Sequence, residues 1–447
     1  MQFEDTIAAI STPPGRGGIG IVRLSGPSAR EITTPLLRLR HPLAAAQARF
    51  AEVLDVEMQQ PLDEAVVTFF EAPHSYTSED VVEIAAHGAP VLLDYILRQC
   101  IARGARLAEP GEFTQRAFLS GRLDLTQAEA VDDLIQSHTL HQARIAAQQL
   151  GGSLSRRIAP VKDELLGLIG VLEAGIDFAE DDIDLLPKAR ILEQIAAVHA
   201  PLVALEKTFA YGRIVRDGLT LAIVGRPNAG KSSLFNRLIE RDRAIVTATP
   251  GTTRDLVTEQ VSLDGIPIHL VDTAGLRTAH DEAEAIGVEK SREAMAEADV
   301  VLLVRDASRS LDGEDHALSA SLSGRSFILV QNKRDLLPTG SAPGDGVAVS
   351  ALTGDGLPEL RVAILSLINA GAPTSETALL TNLRHQQAVT QATSALTRAQ
   401  NAAVADLPHE VLLLDLYAAL EALDTLTGAT TKDDILHLIF SRFCIGK

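Results

Sequence analysis

The residues best suited to chemistry begin at Gly225. Gly225, Arg226, Pro227, Asn228, Ala229, Gly230, Lys231 and Ser232 satisfy the spacing G-x-x-x-x-G-K-[ST]. The run follows the apolar segment LTLAIV (219–224) and precedes SLFNRLIE (233–240), so it reads as a strand, a Gly-rich turn and a helix. Parts in that order cradle phosphate. Backbone N–H groups, through Ser233, wrap the anion, and the helix N-terminus adds the positive end of its dipole. Lys231 reaches toward β and γ oxygens, and Ser232 offers a hard oxygen to Mg²⁺.

Further pieces follow in a consistent order. Asp272, Thr273, Ala274 and Gly275 come after IPIHLV (266–271), which puts Asp272 near Mg²⁺ and the Gly275 amide near the terminal phosphate. Asn332, Lys333, Arg334 and Asp335 come after SFILVQ (326–331), at the carboxyl end of a buried strand, where ligands bind in such sheets. A carboxylate there accepts both guanine N1–H and the exocyclic amine. Adenine offers no such donor pair, so Asp335 selects GTP over ATP. Ser350, Ala351 and Leu352, at the end of VAVS (347–350) and beyond, complete the set with backbone facing the base. The ordered set predicts a GTP hydrolase.

One omission is informative. Many small GTPases place Gln after D-x-x-G to orient the attacking water, but here the position is Leu276, which neither donates nor accepts. The missing charge neutralisation points to a bound cation. Asn228 offers a carbonyl oxygen, and the segment Thr247, Ala248, Thr249, Pro250, Gly251, Thr252, Thr253 adds backbone carbonyls. A weakly charged all-oxygen cage suits K⁺. Thr253 is the natural second Mg²⁺ ligand, while Asn228 also reads as a plain turn residue. Taken alone, Asp281, Glu282 and Glu284 read as a solvated charge run, one of which can hold the water.

These motifs need a scaffold. From 219 to about 370, strand-like and helix-like segments alternate, which predicts a mostly parallel sheet covered on both faces. Residues 1 to about 118 mix IAAI, GIGIVRL, EAVVTFF and DVVEIAA with Gly/Pro turns, the texture of an α+β domain. Between about 120 and 215 the texture is Gln/Ala/Leu-rich and helical, with Ala130, Leu134 and Ser137 on one face beside Val131 and Ile135. Helical texture returns after GAPTSE. There Leu413, Leu416, Leu420 and Leu423 form a stripe, Gly428 ends a helix and Thr431 to Asp434 opens another. An α/β unit flanked by helical segments suggests insertion into one helical domain, two separate helical domains being the alternative. The expected limits are 1–118, 119–215, 216–373 and 374–447. For 447 residues, roughly 150 per domain agrees with about three domains.

Composition narrows the classes. With 46% hydrophobic and 22% charged residues, real cores are affordable and global disorder is excluded. No apolar run reaches the ~18 residues of a membrane span, and the acidic start MQFEDTIAAI is unlike an export signal. Two cysteines, Cys100 and Cys444, exclude a disulfide framework and a Cys-based zinc cluster, and a reducing cytoplasm fits best. Cys100 reads as core. Cys444 follows Leu436, Phe440 and Phe443 and by spacing reads as a packed small residue. A net charge of −19 excludes a bulk-charge polyanion binder but not local RNA recognition.

The chain resembles the bacterial and organellar tRNA-modification GTPases called MnmE or TrmE over nearly its whole length. The resemblance rests on DTIAAISTPPGRGGIGIVRLSG, PGEFTQRAFLSGRLDLTQAEAVDDLI, GRPNAGKSSLFN, VTATPGTTRD, DTAGLR and the terminal FCIGK. It implies a multidomain fold: an N-terminal α+β folate-binding and dimerisation domain, a discontinuous α-helical domain, and an inserted α/β P-loop GTPase domain. It further implies K⁺-stimulated hydrolysis through G-domain dimerisation, with K⁺ ligands at Asn228, Thr247, Thr249 and Thr252. Mg²⁺ ligands fall at Ser232 and Thr253, and the water-orienting acid at Glu284. The folate positions fall on Arg23, Glu83, Arg122 and Lys447, with Arg122 where the family form has Lys. Cys444 becomes a candidate catalytic residue of the modification. The implied activity joins a homodimer to an FAD-dependent partner, MnmG or GidA, in a heterotetramer-type complex. Together they add an aminomethyl or carboxymethylaminomethyl group to carbon 5 of the wobble uridine of certain tRNAs. A one-carbon tetrahydrofolate, formyl or methylene, supplies the carbon, and GTP turnover drives a conformational cycle. Rival readings are a GTP-gated ribosome-assembly factor without modification chemistry, and a one-carbon transferase with a regulatory G domain.

Overall fold

The computed structural model describes residues 4–177, 187–242, 257–272, 296–338, 344–369, 379–430 and 433–446. The chain divides into two compact units, one of Met1–Asp132, Gln149–Ala159 and Glu421–Lys447, the other of Asp133–Gln148 and Pro160–Leu420.

The N-terminal elements are β1 (Thr6–Ile10), β2 (Gly17–Ser25), α1 (Ala29–Thr33), β3 (Leu37–Leu39), β4 (Gln47–Leu54), β5 (Pro61–Phe70), β6 (Val81–Gly88), α2 (Pro90–Ala102), β7 (Ala105–Leu107) and α3 (Glu112–Leu119). The strands form one sheet in the order β3-β4-β5-β6-β2-β1-β7, in which only β1 and β7 run parallel. Alternation decides the buried face: Ala65, Val67 and Phe69 of β5 are buried while Glu64 and Val66 face out. Onto that face α2 lays Leu93, Ile96 and Cys100, spaced for one helical stripe. Gly20 of β2 lies under it, since a Cβ there would stand 2.3 Å from a Leu93 methyl. The four expected apolar runs coincide with β1, β2, β5 and β6. The sequence reading missed β3, β4 and β7, because QARFAEVL is half-exposed and polar enough to lack a clear alternation and β3 and β7 have three residues each.

Five helices follow: α4 (Leu125–Ile135), α5 (Leu140–Leu150), α6 (Ser153–Asp177), α7 (Lys188–Glu206) and α8 (Phe209–Asp217). The expected face of α4 needs correction. The helix ends at Ile135, so Ser137 is off it and Ile135 is exposed; Ala130 and Val131 are buried as expected, and Leu125 and Ala128 are buried with them. The α/β region then runs through β8 (Leu219–Gly225), α9 (Lys231–Asp242), β9 (Val257–Leu263), β10 (Ile266–Asp272), β11 (Val300–Asp306), α10 (Gly313–Ser321), β12 (Phe327–Asn332), β13 (Val347–Ala348) and α11 (Leu357–Asn369). Its sheet order is β13-β12-β11-β8-β10-β9, parallel except for the edge hairpin of β9 and β10. The sequence reading missed β9. Its signal was the Asp264-Gly265 pair, both residues at positive φ (52° and 84°) as a two-residue hairpin turn requires.

The chain ends with α12 (Leu383–Val404), α13 (His409–Thr427) and α14 (Asp433–Phe440). Leu413, Leu416 and Leu423 are buried along α13 as the stripe predicts, Leu420 is only half-buried, and Gly428 at φ 86° closes the helix. Segments before and after the α/β region pack together. In one unit α7 lies along α12, and the Leu380 N–H donates to Thr208 Oγ1 at 3.0 Å. In the other, Leu436, Phe440 and Phe443 join Leu125 and Ala128 in one apolar cluster. The helical domain is therefore discontinuous, its segments distributed between the two units, and the α/β domain is an insertion. No helix among the described residues is long and apolar enough to cross a membrane.

Candidate functional site

Strand β8 delivers the chain to a turn that only glycine can start. A Cβ on Gly225 would lie 2.1 Å from the Val304 carbonyl oxygen of β11, and one on Gly230 would lie 2.1 Å from Asn332 Nδ2. Between them Asn228 adopts the left-handed conformation at φ 62°, which Asn tolerates better than most residues. The Lys231 ammonium, at the start of α9, donates to the carbonyls of Gly225 and Arg226 at 2.9 Å each. Ser232 and Ser233 follow it in the first turn, both exposed.

Asn332 ties three loops together. It is buried, its Nδ2 donates to the Ala229 carbonyl at 2.9 Å, and its Oδ1 accepts from the Ala351 N–H at 3.0 Å. Its role is thus the fastening of the phosphate loop to the base loop. Lys333, left-handed at φ 65°, donates to Asp306 Oδ2 at 2.6 Å. Burial alone would raise the Asp306 carboxyl, but Lys333 and the Ser308 hydroxyl and amide outweigh it and hold it below the usual carboxylate range. Asp335 accepts from Ser350 Oγ at 2.5 Å, which orients its carboxylate. Ser350 is fully buried, and Gly356 lets the loop close, since a Cβ there would meet the Ala348 carbonyl oxygen at 1.9 Å.

Together these residues border a cavity of about 500 Å³, lined by Gly230, Ser233, Lys333, Asp335, Ala351 and Leu352 among others. The arrangement suits an anion at the loop and a planar base beside Asp335. Asp272 ends β10, its backbone in register with Ile223 of β8. The predicted Thr247, Ala248, Thr249, Pro250, Gly251, Thr252 and Thr253, with Thr273, Ala274, Gly275, Leu276 and Glu284, lie outside the described residues. The sequence reading missed Asp306, and it gave no partner to Arg226, whose guanidinium bridges to Asp312 and, at 2.8 Å, to Glu314. Asp306 had a weak signal, an acid closing the apolar strand VVLLVRD.

A second cavity, of about 570 Å³, belongs to the N-terminal domain. Glu83 and Arg122 both line it, along with Tyr76. Sheet register explains the Arg23–Glu83 pair: the two are directly opposed on β2 and β6, and Arg23 Nε donates to Glu83 Oε1 at 2.8 Å. Arg122 donates to the Tyr76 carbonyl at 2.6 Å and lies 5.1 Å over its ring. Burial pushes the Tyr76 hydroxyl above its ordinary value. Arg23 also donates to the Gly446 carbonyl at 3.2 Å, which brings the C-terminal segment to the same place. Lys447 lies outside the described residues.

That segment is seated by two glycines. A Cβ on Gly111 would stand 2.6 Å from the Phe440 carbonyl oxygen, and one on Gly446, at φ 95°, would stand 2.8 Å from that of Ile10. Ile445 pairs with Pro110 across an isolated bridge. The packed reading of Cys444 is corrected here. Helix α14 has ended at Phe440, Phe443 takes the buried position, and Cys444 is exposed. Cys100 is buried as expected, and desolvation pushes its thiol up to about 12.

Elsewhere in this domain, an ion-pair knot fixes α3 to the N-terminal strand. Arg116, 1% exposed, donates to Asp5 Oδ1 at 2.8 Å, to Glu112 Oε1 at 3.0 Å and to Glu79 at 3.2 Å. Arg106 grips the same carboxylate with both nitrogens, donating to Glu112 Oε1 at 2.6 Å and to Oε2 at 3.0 Å. Burial would raise the Asp5 and Glu112 carboxyls, yet their arginine contacts keep both below the ordinary range.

The relatives of the chain agree with this architecture. Residues 6–122 match the family described as GTP-binding protein TrmE N-terminus, and residues 125–444 match the MnmE helical domain. The tRNA modification GTPase MnmE of Koribacter versatilis is 59% identical over 454 residues, covering 100% of both chains. That of Acetivibrio thermocellus is 40% identical over 459 residues, again covering 100% of both. Among solved structures, a variant of Aquifex aeolicus Era bound to GDP.AlF4- is 28% identical over 40% of this chain and 66% of that one, with a TM-score of 0.28. With a nucleotide cavity of this construction, and family matches along the chain, the protein belongs to the MnmE family of tRNA modification GTPases.

Proposed function

We propose that this chain is a K⁺-stimulated GTPase whose turnover drives addition of an aminomethyl or carboxymethylaminomethyl group to the wobble uridine of certain tRNAs. The reading places it in the cytoplasm as a homodimer, working with an FAD-dependent partner of the MnmG or GidA kind. The observation that carries it is the joining of the phosphate loop to the 350–352 loop through Asn332, with Asp335 tied to the same loop by Ser350. Lys231 would release the Gly225 and Arg226 carbonyls and turn to phosphate oxygens, an exchange of neutral for charged acceptors that favours the bound state. The donor set fits the metals in chemistry. Ser232 is an exposed hydroxyl at the helix start, suited with Thr253 to Mg²⁺, and Asn228 is a neutral oxygen suited with Thr247, Thr249 and Thr252 to K⁺. Such a cation neutralises charge between phosphates, and Glu284 would hold the attacking water. Hydrolysis measured at equal ionic strength tests this reading: the rate should rise in K⁺ and stay low in Na⁺, and equal rates would sink it.

The N-terminal cavity is assigned to a one-carbon tetrahydrofolate. Glu83, held by Arg23, would accept from the pterin edge, while Arg122 and Lys447 would pair with the glutamate tail. The bound folate supplies a one-carbon unit, and Cys444, exposed on a segment seated beside Arg23, would serve the modification. The domain limits 118, 215 and 373 belong to the same proposal. Cys444→Ser should abolish the modified nucleoside in tRNA from a complemented deletion strain while GTP hydrolysis continues. Loss of both would mean Cys444 serves folding instead.

A further inference from the structure

The helix after the phosphate loop carries an arginine that faces the base end of the cavity. Arg237 donates from Nε to the Ala351 carbonyl at 3.2 Å and from Nη2 to the Leu352 carbonyl at 2.5 Å. Its third nitrogen is engaged by Glu240 at 3.1 Å. Arg237, Ala351 and Leu352 line the same cavity. The carbonyls it grips share peptide units with the Leu352 and Thr353 amides, and both units are trans. In a trans peptide, C=O and N–H point in opposite directions, so fixing the carbonyls fixes where the amides aim.

Most amides of this loop are already committed. Ala351 N–H goes to Asn332 Oδ1 at 3.0 Å, Thr353 N–H to Ser350 Oγ at 3.1 Å, and Gly354 N–H to the Ser350 carbonyl at 2.8 Å. The Leu352 N–H makes no hydrogen bond among the described residues.

We propose that Arg237 is a positioning residue for base selection. It holds the 351–352 peptide so that the Leu352 N–H donates to the 6-oxo group of a guanine whose N1–H and 2-amino edge face Asp335. The proposal rests on the guanine-nucleotide reading of this cavity. An amino group at carbon 6 would meet that N–H donor to donor, so Arg237 adds a second discrimination to the one Asp335 makes.

The test compares GDP with 2-aminopurine riboside 5′-diphosphate, which keeps the 2-amino group and lacks the 6-oxo group, by equilibrium binding to the full chain. Arg237→Ala should weaken GDP about tenfold and leave the analogue within about twofold of its unaltered affinity. Arg237→Lys, which still donates to one carbonyl, should recover part of the GDP affinity, and it carries the same comparison if the alanine variant does not fold. Unchanged GDP affinity, or equal weakening of both nucleotides, would overturn the assignment. Unaltered protein that retains no guanine nucleotide would instead remove the reading beneath it.

Discussion

The two cavities are built from different materials. The nucleotide cavity is shaped by backbone that its own motifs bend, with glycines where a Cβ would strike a carbonyl or Asn332 and left-handed Asn228 and Lys333, and its charged side chains, Lys333 and Asp335 among them, sit within or beside those same motifs. The N-terminal cavity takes its charge from two separate side chains, Glu83 and Arg122, in a lining otherwise of Ser, Pro, His, aromatic and other uncharged residues; Arg23 lies behind, placed by antiparallel register, and a segment from the far end of the chain meets it there. A backbone site needs particular residue types at fixed spacing and leaves a motif. A side-chain site can draw its groups from anywhere, so each one looks like surface charge until the fold is known.

The contrast predicts how each site breaks. Gly230→Ala forces a Cβ to within 2.1 Å of Asn332 Nδ2, so guanine-nucleotide binding, followed with a fluorescent GDP, should fall by about a hundredfold or more. Folate titration of the same variant should be unchanged, and parallel loss of both would show that the sites are not independent.

Arg116→Met removes the buried centre of the ion-pair knot and takes the cation from Glu79, while Glu112 keeps Arg106. Unfolding in urea should show the N-terminal domain destabilised by about 3–5 kcal/mol, with the nucleotide cavity retained. Glu83→Gln keeps shape and removes charge. Tetrahydrofolate affinity should drop about tenfold by calorimetry while hydrolysis is unaffected.

Acid should act in the same direction on the knot. Asp5 and Glu112 have lowered folded-state values, so their stabilisation is present above the unfolded values, near pH 4, and is lost as pH falls through the lowered ones. Melting temperature should therefore decline below about pH 4, and less so in Arg116→Met, where the shifts are reduced. The smallest test concerns the thiols. A maleimide at neutral pH should label Cys444 alone in the folded protein, and Cys100 only after denaturation, because burial holds that thiol protonated at about 12.

Legibility followed the same division. LTLAIV, IPIHLV, SFILVQ and the phosphate loop are local features, set by runs of residues adjacent in sequence, and each appears as its own element. Strand β9 was passed over although Asp264-Gly265 marked its turn, because the edge strand VTEQVSL lacks a continuous apolar run. Cys444 shows the converse error. Helical spacing carried past Phe440 places it in the core, and only the end of α14 turns it to solvent.

The sequence by itself determined where the Gly-rich turn, Lys231 and Asp335 stand on the sheet, since the strand ahead of each and the glycines beside them are local features of the chain. Only the tertiary structure decided that Asn332 is a fastener, that Arg237 grips the base loop, and that Arg23, Glu83 and Gly446 meet. Those contacts join residues from 19 to 423 positions apart. No local propensity specifies such distances; sheet register and helix packing do.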